Sequence, residues 1–482
     1  MATDKVLDTL FREWCGKEAI KTERLTPAGS NREYRRLTSS DDTRAIGVIG
    51  NSTDENEAFF TICRHFHSKG LPVPELYGIS PDRMSYLQQD LGDISLFDTL
   101  EPCRTSGCYD TRSVILLEKV IRILPDLQFI GANGLDFSIC YPIESFDWRS
   151  ILWDLNYFKY YFLKPSGIEF NENILENDFR RIAEILLKDA PYNTFMYRDF
   201  QSRNVMLVDG SPFFIDFQGG RRGPIEYDLV SFLWQARAAY PKELKGHLTG
   251  IYADSLTRYR QIDTAEFSAR LMHFALFRTL QVLGAYGYRG NFERKPHFLA
   301  SIPAATDNLR EIIDSGTGKS EYPYLYSILS ALAEQKTENR NGEDPYSGLT
   351  VHITSFSFRK GIPEDKSGNG GGFVFDCRSM HNPGLYDEYK QLDGRDSSVI
   401  SFLDAKGEIQ TYMESVYSLT GHAIDKYLSR GFTNLSICFG CTGGRHRSVR
   451  CAEMLAAHLH TEYGPKIRIL LTHREMKSHK EL

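Results

Sequence analysis

Apolar residues recur at helical spacing from the start of the chain. Val6, Leu7, Leu10, Phe11 and Trp14 predict a helix over residues 1–20. Leu25 to Leu37, LTPAGSNREYRRL, is turn-rich and then alternating, so it predicts strand, loop, strand. RAIGVIG, Arg44 to Gly50, predicts a further strand. Asn56 to Ser68 predicts a helix with Ala58, Phe59, Ile62 and Phe66 on one face. Leu71 to Tyr77 and Ser85 to Gln89 complete a small sheet, and Gln89-Asp90-Leu91-Gly92 leads out of it into helical sequence. Phe146 to Leu163, FDWRSILWDLNYFKYYFL, is an aromatic-dense helix whose rings mostly pack in a core. Val205 to Val208 and Phe213 to Ile215 flank Asp209-Gly210, the pattern of a β-hairpin with a type I′ turn. A glycine-rich loop and a helix follow over Gly219 to Ala236, and helical patterns run to about residue 335.

Lys336 to Gly348, KTENRNGEDPYSG, has almost no apolar residues and predicts a linker. Beyond it Thr350 to Phe358, Phe373 to Asp376 and Ser436 to Gly440 predict strands, with a glycine insert at Gly368 to Gly372. The last strand runs into CTGGRHRS and a helix from Val449. At 482 residues the chain exceeds a single core, as this division requires.

Composition narrows the class. Hydrophobic residues at 41% and charged residues at 25% describe a globular protein, and the net charge of -6 argues for neither a nucleic-acid nor a membrane partner. Residues 1–19 lack the apolar core of a signal peptide, and no run approaches the roughly 18 apolar residues of a membrane span. Nine scattered cysteines suit reduced thiols and predict a cytoplasmic protein.

The chemistry centres on YRDFQSRNVMLVDGSPFFID, Tyr197 to Asp216. The hairpin brings Asn204, before its first strand, near Asp216, at the end of its second. An amide oxygen and a carboxylate so placed suit Mg²⁺, which takes phosphate oxygens as further partners. Asp199 is placed to accept the proton of a substrate hydroxyl, so the expected reaction is kinase-like phosphoryl transfer. Ser30 and Asn31 lie in the loop that would cover the nucleotide phosphates, and the backbone at Gln89 and Leu91 would meet adenine. Asp147 and Asp154, two helical turns apart, share a face and with Arg203 are the expected substrate contacts. Glu57 occupies the place of a kinase ion-pair carboxylate, yet RAIGVIG holds no lysine to meet it, and a solvated surface glutamate is its expected fate. Either Arg44 substitutes, or backbone and metal alone hold the phosphates. Asp228 is expected to brace the catalytic loop.

In the second half, strand, glycine loop and helix form an anion cradle at Cys441, Thr442, Gly443, Gly444, Arg445, His446, Arg447 and Ser448. Asp376, Arg378 and His381 follow the neighbouring strand, so the site is expected at the carboxyl edge of an open α/β sheet. The same stretch fits Cys-x5-Arg-Ser, the spacing of cysteine phosphatases, with Asp393 or Asp396 as the available acids. Cys438 and Cys441 form a lone C-x-x-C, which is weak evidence for metal.

Two resemblances rest on these motifs. YRDFQSRN…FFIDFQ followed by GPIEYDLVSFL resembles the aminoglycoside phosphotransferase/choline kinase family. WDLNYFKYYFL and LQVLGAYGYRGNFERKPHFL (Leu280 to Leu299) are similar to its anomeric N-acetylmuramate/N-acetylglucosamine kinase branch. That resemblance implies ATP and Mg²⁺ as cofactors and transfer of the γ-phosphate to an amino-sugar hydroxyl, the one at C1. FSFRKGIP, FDCRSMHNP and GCTGGRHRSV resemble the RapZ C-terminal domain. This implies an amino-sugar phosphate as ligand and RNA as the partner of some members, although basic and acidic residues nearly balance over residues 345–482. The expected fold is a two-lobed, protein-kinase-like α+β domain over 1–335, divided near residue 92, a linker over 336–348, and a smaller α/β domain over 349–482. The alternatives are an antibiotic- or small-alcohol-modifying kinase and a non-catalytic adaptor that senses nucleotide.

Overall fold

The computed structural model describes residues 2–25, 32–293, 295–340, 348–363, 365, 372–476 and 478–481. The chain divides into two compact units, Met1–Asn341 and Gly342–Leu482.

The first unit opens with the helix Ala2–Cys15 and five strands: β1 (Lys21–Leu25), β2 (Glu33–Thr38), β3 (Arg44–Ile49), β4 (Leu76–Ile79) and β5 (Ser85–Gln89). They form an antiparallel sheet in the order β1-β2-β3-β5-β4. The opening helix buries Leu7, Leu10 and Phe11 with Leu37, Ala45 and Leu87, while Trp14 stacks on Tyr77 at 4.1 Å. The helix Thr53–Ser68 joins the main core through Phe59, Phe60, Ile62 and Phe66. Residues 71–75 are not strand, because Pro72 and Pro74 have no N–H for a ladder. Pro72 instead accepts a hydrogen bond at 2.8 Å from Phe214, which ties this sheet to the hairpin of the helical lobe.

In the helical lobe, Thr264–Gly287 crosses Trp148–Phe158 closely. A Cβ on Gly284 would lie 2.8 Å from the backbone nitrogen of Phe158, and one on Gly287 would lie 2.2 Å from the Tyr161 carbonyl oxygen. The last helix, Pro323–Arg340, runs five residues into the stretch expected as linker. Lys336, Glu338 and Arg340 are good helix formers, so a polar stretch without Gly or Pro continued the helix rather than ending it.

The second unit is a sheet of β10 (Leu349–Ser357), β11 (Gly372–Asp376), β12 (Asn434–Cys441), β13 (Ile467–His473) and β14 (Ser478–Glu481) in the order β11-β12-β10-β13-β14. The first four strands are parallel and β14 is antiparallel. Val351, Ile353, Ile437 and Ile469 stand in register on one face of the sheet and are buried there, while β13 alternates buried with half-buried positions. Parallel strands deliver the segments after β10, β11, β12 and β13 to one edge.

Alanine at Gly287 must push backbone against backbone. Gly287→Ala is expected to destabilise the first unit by about 1–3 kcal/mol, read as a lower calorimetric transition, whereas Gly246→Ala, with open space around it, should not.

Candidate active site

Hairpin strands β7 (Val205–Val208) and β8 (Ser211–Phe214) pair from Val205↔Phe214 to Val208↔Ser211. These follow β6 (Phe195–Met196) in the chain and precede β9 (Arg221–Arg222). Asp209 and Gly210 both have positive φ, 50° and 74°, as a type I′ turn requires. The closed hairpin sets Asn204 beside Asp216. Asn204 Nδ2 donates to the Asp199 carbonyl at 2.8 Å and lies 3.4 Å from Asp216 Oδ2, and Ile215 N–H donates to the Asn204 carbonyl at 3.0 Å. Gln218 Nε2 holds the other Asp216 oxygen at 2.8 Å.

Upstream, the carboxylate of Asp228 accepts the N–H groups of Tyr197 and Arg198 at 2.7 and 2.8 Å, while the Tyr197 hydroxyl donates to the Ile215 carbonyl. Arg198 has φ 78°, a left-handed conformation, and the chain beyond it turns Asp199 outward. The Asp199 side chain keeps 45% exposure, with Oδ1 at 3.5 Å from Arg278 Nη2. Burial raises the pKa of Asp216, and the charge of Asp199 raises it further. Two carboxylates so close favour a cation, and the donor set of amide and carboxylate oxygens fits Mg²⁺.

Sequence reasoning missed Arg32. Its side chain is 4% exposed, Nη1 donates to the Tyr86 hydroxyl at 3.2 Å, and Nη2 lies 3.0 Å from Glu55 Oε1. Burial opposes its charge, but Tyr86, Glu55, Tyr34 and Asp216 outweigh that, so its pKa is raised. The ion pair between strand and helix therefore exists with Arg32 and Glu55 in place of the expected partners. Glu57 instead pairs with Arg83 on the outer face, and Arg44 pairs with Asp42 at 2.8 Å. The sequence signal was an arginine immediately after the small-residue loop, one strand earlier than expected.

The other expected contacts divide. Ser30 and Asn31 lie outside the described residues. Gln89 is held in the sheet: its N–H donates to the Glu75 carbonyl at 2.8 Å and its Oε1 accepts from Glu75 N–H at 3.3 Å. Leu91 is buried, and its backbone N–H and C=O have no partner among the described residues. Asp147 is not on a shared face with Asp154. It is the N-cap of Trp148–Phe158, in a capping box with Ser150. Asp154 points inward, its Oδ2 accepting from Gln281 Nε2 at 2.6 Å. Burial pushes its pKa up to about 6, against the pull of Arg198, Arg278 and Arg221. Arg203 is exposed, and its charge lies close enough to lower the pKa of Asp216.

At the second unit's sheet edge the loop after β12 is only partly open. A Cβ on Gly443 would touch nothing within 4 Å, and the N–H groups of Gly443 and Arg445 have no partner among the described residues. Cys441 is buried. Its Sγ accepts from Gly444 N–H at 3.2 Å and lies 3.2 Å from Ser448 Oγ. The Thr442 carbonyl accepts from Ser357 Oγ at 2.7 Å, Arg445 Nη2 donates to the Gln391 carbonyl at 3.2 Å, and His446 Nε2 meets the Tyr389 carbonyl at 2.9 Å. Arg447 is not a free anion ligand. It is 4% exposed, and Nη1 donates to the carbonyls of Arg378 and Met380 at 3.1 and 2.8 Å, bracing the segment after β11. Asp376 and Arg378 pair with each other, and His381 is held by Glu408 and Lys406.

The chain belongs to the phosphotransferase enzyme family, whose profile matches residues 22–262, half of the chain. Residues 349–477 match the RapZ C-terminal domain. Among curated proteins, a nucleotide-binding protein of Geobacillus thermodenitrificans is 36% identical over 192 residues, which cover 39% of this chain and 61% of the relative. One from Nitrosococcus oceani is 34% identical over 137 residues, 28% of this chain and 46% of the relative. The chain thus spans about half to three fifths of the length of these relatives. Among solved structures, choline kinase from Cryptosporidium parvum Iowa II aligns at 11% identity and a TM-score of 0.45, over 68% of this chain and 99% of its own. Choline kinase LicA from Streptococcus pneumoniae aligns at 11% identity and 0.43, over 65% and 100%. Among the described residues, no helix is long and apolar enough to cross a membrane.

Two outcomes follow from the buried arginines. Arg32→Met should weaken binding of Mg²⁺-ATP by about tenfold or more in calorimetry, the worth of one charge-assisted contact, with the fold retained by circular dichroism. Arg447→Ala should orphan two carbonyls and lower the second unit's unfolding free energy by about 1–3 kcal/mol or more, seen as an earlier transition in urea.

Proposed function

We propose that the first unit is an amino-sugar kinase, which uses ATP and Mg²⁺ to phosphorylate the anomeric hydroxyl of N-acetylmuramate or N-acetylglucosamine. The observation that carries the phosphoryl-transfer part is the group of Asp199, Asn204 and Asp216 around one hairpin. The sugar part is supported by the two segments similar to the sugar-kinase branch, WDLNYFKYYFL and LQVLGAYGYRGNFERKPHFL. They cross at Gly284 and Gly287, and Arg278, earlier on the second of these helices, lies 3.5 Å from Asp199.

Asp199, outward-facing and half-exposed, takes the proton of the attacking hydroxyl as its oxygen bonds to the γ-phosphorus and the bond to ADP breaks. Asn204 and Asp216 would hold Mg²⁺, which supplies charge neutralisation on the β- and γ-phosphates when bound. Arg32 adds a fixed positive charge on the same side, kept in place by Glu55 and Tyr86. Leu91 offers its N–H and C=O to adenine.

For the second unit the reading is a sugar-phosphate sensor, with the phosphate on the free N–H groups of the loop at Gly443 and Arg445 and the guanidinium of Arg445 at its rim. RNA has little electrostatic support as its partner.

The test is phosphorus NMR of the protein with ATP, Mg²⁺ and a panel of amino sugars, aminoglycosides and choline. An anomeric sugar phosphate is the expected product, and transfer only to choline or an aminoglycoside would overturn the sugar assignment. Asp199→Asn should slow transfer by about 10²–10⁴-fold while ATP affinity by calorimetry stays in place. Retained turnover would remove Asp199 from the mechanism.

A further inference from the structure

Two helices of the helical lobe end in the same unusual way. Trp148–Phe158 passes into a π turn at Lys159–Leu163, and Thr264–Gly287 passes into another at Tyr288–Phe292. Such turns are rare and recur at functional sites. Here the close crossing at Gly284 and Gly287 sets them side by side, and each widened turn delivers aromatic rings to the other. Tyr157 lies 4.6 Å from Tyr161 and 5.6 Å from Tyr288, and Tyr161 lies 4.9 Å from Tyr288.

The rings border an open recess of about 460 Å³, lined by Trp153, Asp154, Asn156, Tyr157, Tyr160 and Tyr161. Trp153 is 59% exposed, a large apolar surface left in water at the mouth. The one carboxylate of the recess is joined to the catalytic group by an unbroken polar chain. Asp154 Oδ2 accepts from Gln281 Nε2 at 2.6 Å, and Gln281 Oε1 accepts from Arg278 Nη1 at 2.5 Å and from the Tyr227 hydroxyl at 2.8 Å. Arg278 Nη2 then lies 3.5 Å from Asp199 Oδ1. The guanidinium of Arg198, set by a left-handed backbone, adds its charge beside Asp154.

We propose that this recess is the acceptor subsite, where a pyranose ring lays its C–H face on Trp153 and Tyr157 while Asp154 takes its hydroxyl or amide N–H donors. The inference rests on the sugar-kinase reading above and names what that reading leaves open, the residues that select the acceptor. Aromatic faces with a few convergent planar polar groups match a ring that is apolar on its face and polar at its edge. A carboxylate at this place favours a donor-bearing edge and disfavours an acceptor whose own carboxylate would lie there. Asp154, Gln281 and Arg278 act on the acceptor's position, and Asp199 alone on its proton.

The test measures acceptor kinetics in the full chain with N-acetylglucosamine, ATP and Mg²⁺. Trp153→Ala should raise the acceptor KM by about tenfold with kcat little changed, the loss of one aromatic stacking contact. Asp154→Asn should raise it as well. Trp148→Ala, on the same helix outside the recess, should leave both unchanged. Transfer by the wild type with an unaltered KM in Trp153→Ala would overturn the recess and leave the sugar-kinase reading standing. If the wild type phosphorylates no sugar, the reading falls, and saturation-transfer NMR with N-acetylglucosamine decides the recess. A signal lost in Trp153→Ala supports it, and no signal in the wild type overturns it.

Discussion

The loop from Tyr197 to Asn204 depends on one buried carboxylate. Asp228, without exposed surface, satisfies two consecutive backbone N–H groups, those of Tyr197 and Arg198. Burial pushes its pKa up to about 7 against the effect of those two bonds. Unpartnered, the two amides would be costly beneath the catalytic loop. With them held, the chain passes through the left-handed turn at Arg198 and releases Asp199 outward. Asn204 then returns to the Asp199 carbonyl and closes the loop on the hairpin. Asp199, Asn204 and Asp216 are thus one hydrogen-bonded unit.

Local chemistry made much of this legible. Asp-Gly between two short apolar runs specifies the hairpin, and the hairpin alone sets Asn204 against Asp216. The small antiparallel sheet, its helix and the parallel strands of the second unit were likewise readable from periodicity. The misreadings have a common cause. Asp147 and Asp154 share a helical periodicity, but Asp147 stands one residue before the helix and is used as its cap. Gln89 occupies the expected hinge, yet two bonds to Glu75 keep it in the sheet, while the backbone of Leu91 has no partner among the described residues. Glu57 is the surface glutamate its place suggested, and Glu55, two residues earlier on the same helix, makes the ion pair with Arg32.

The second unit repeats the lesson at Arg447. Its spacing after Cys441 matches a phosphate-binding arginine, and its charge suits an anion. Nearly full burial and two carbonyl acceptors make it a brace for the segment after β11. The free N–H groups at Gly443 and Arg445 are what the loop still offers.

The sequence by itself determined the order of the elements, the hairpin, and the meeting of Asn204 with Asp199 and Asp216 around it. All of these rest on contacts within a few residues, where spacing dictates geometry. Tertiary structure alone decided the partnership of Arg32 with Glu55 and Tyr86, the commitment of Arg447, and the aromatic recess around Asp154. Each joins residues distant in the chain through burial and through the bonds that burial demands. A side chain's available atoms are known only once its neighbours have taken theirs.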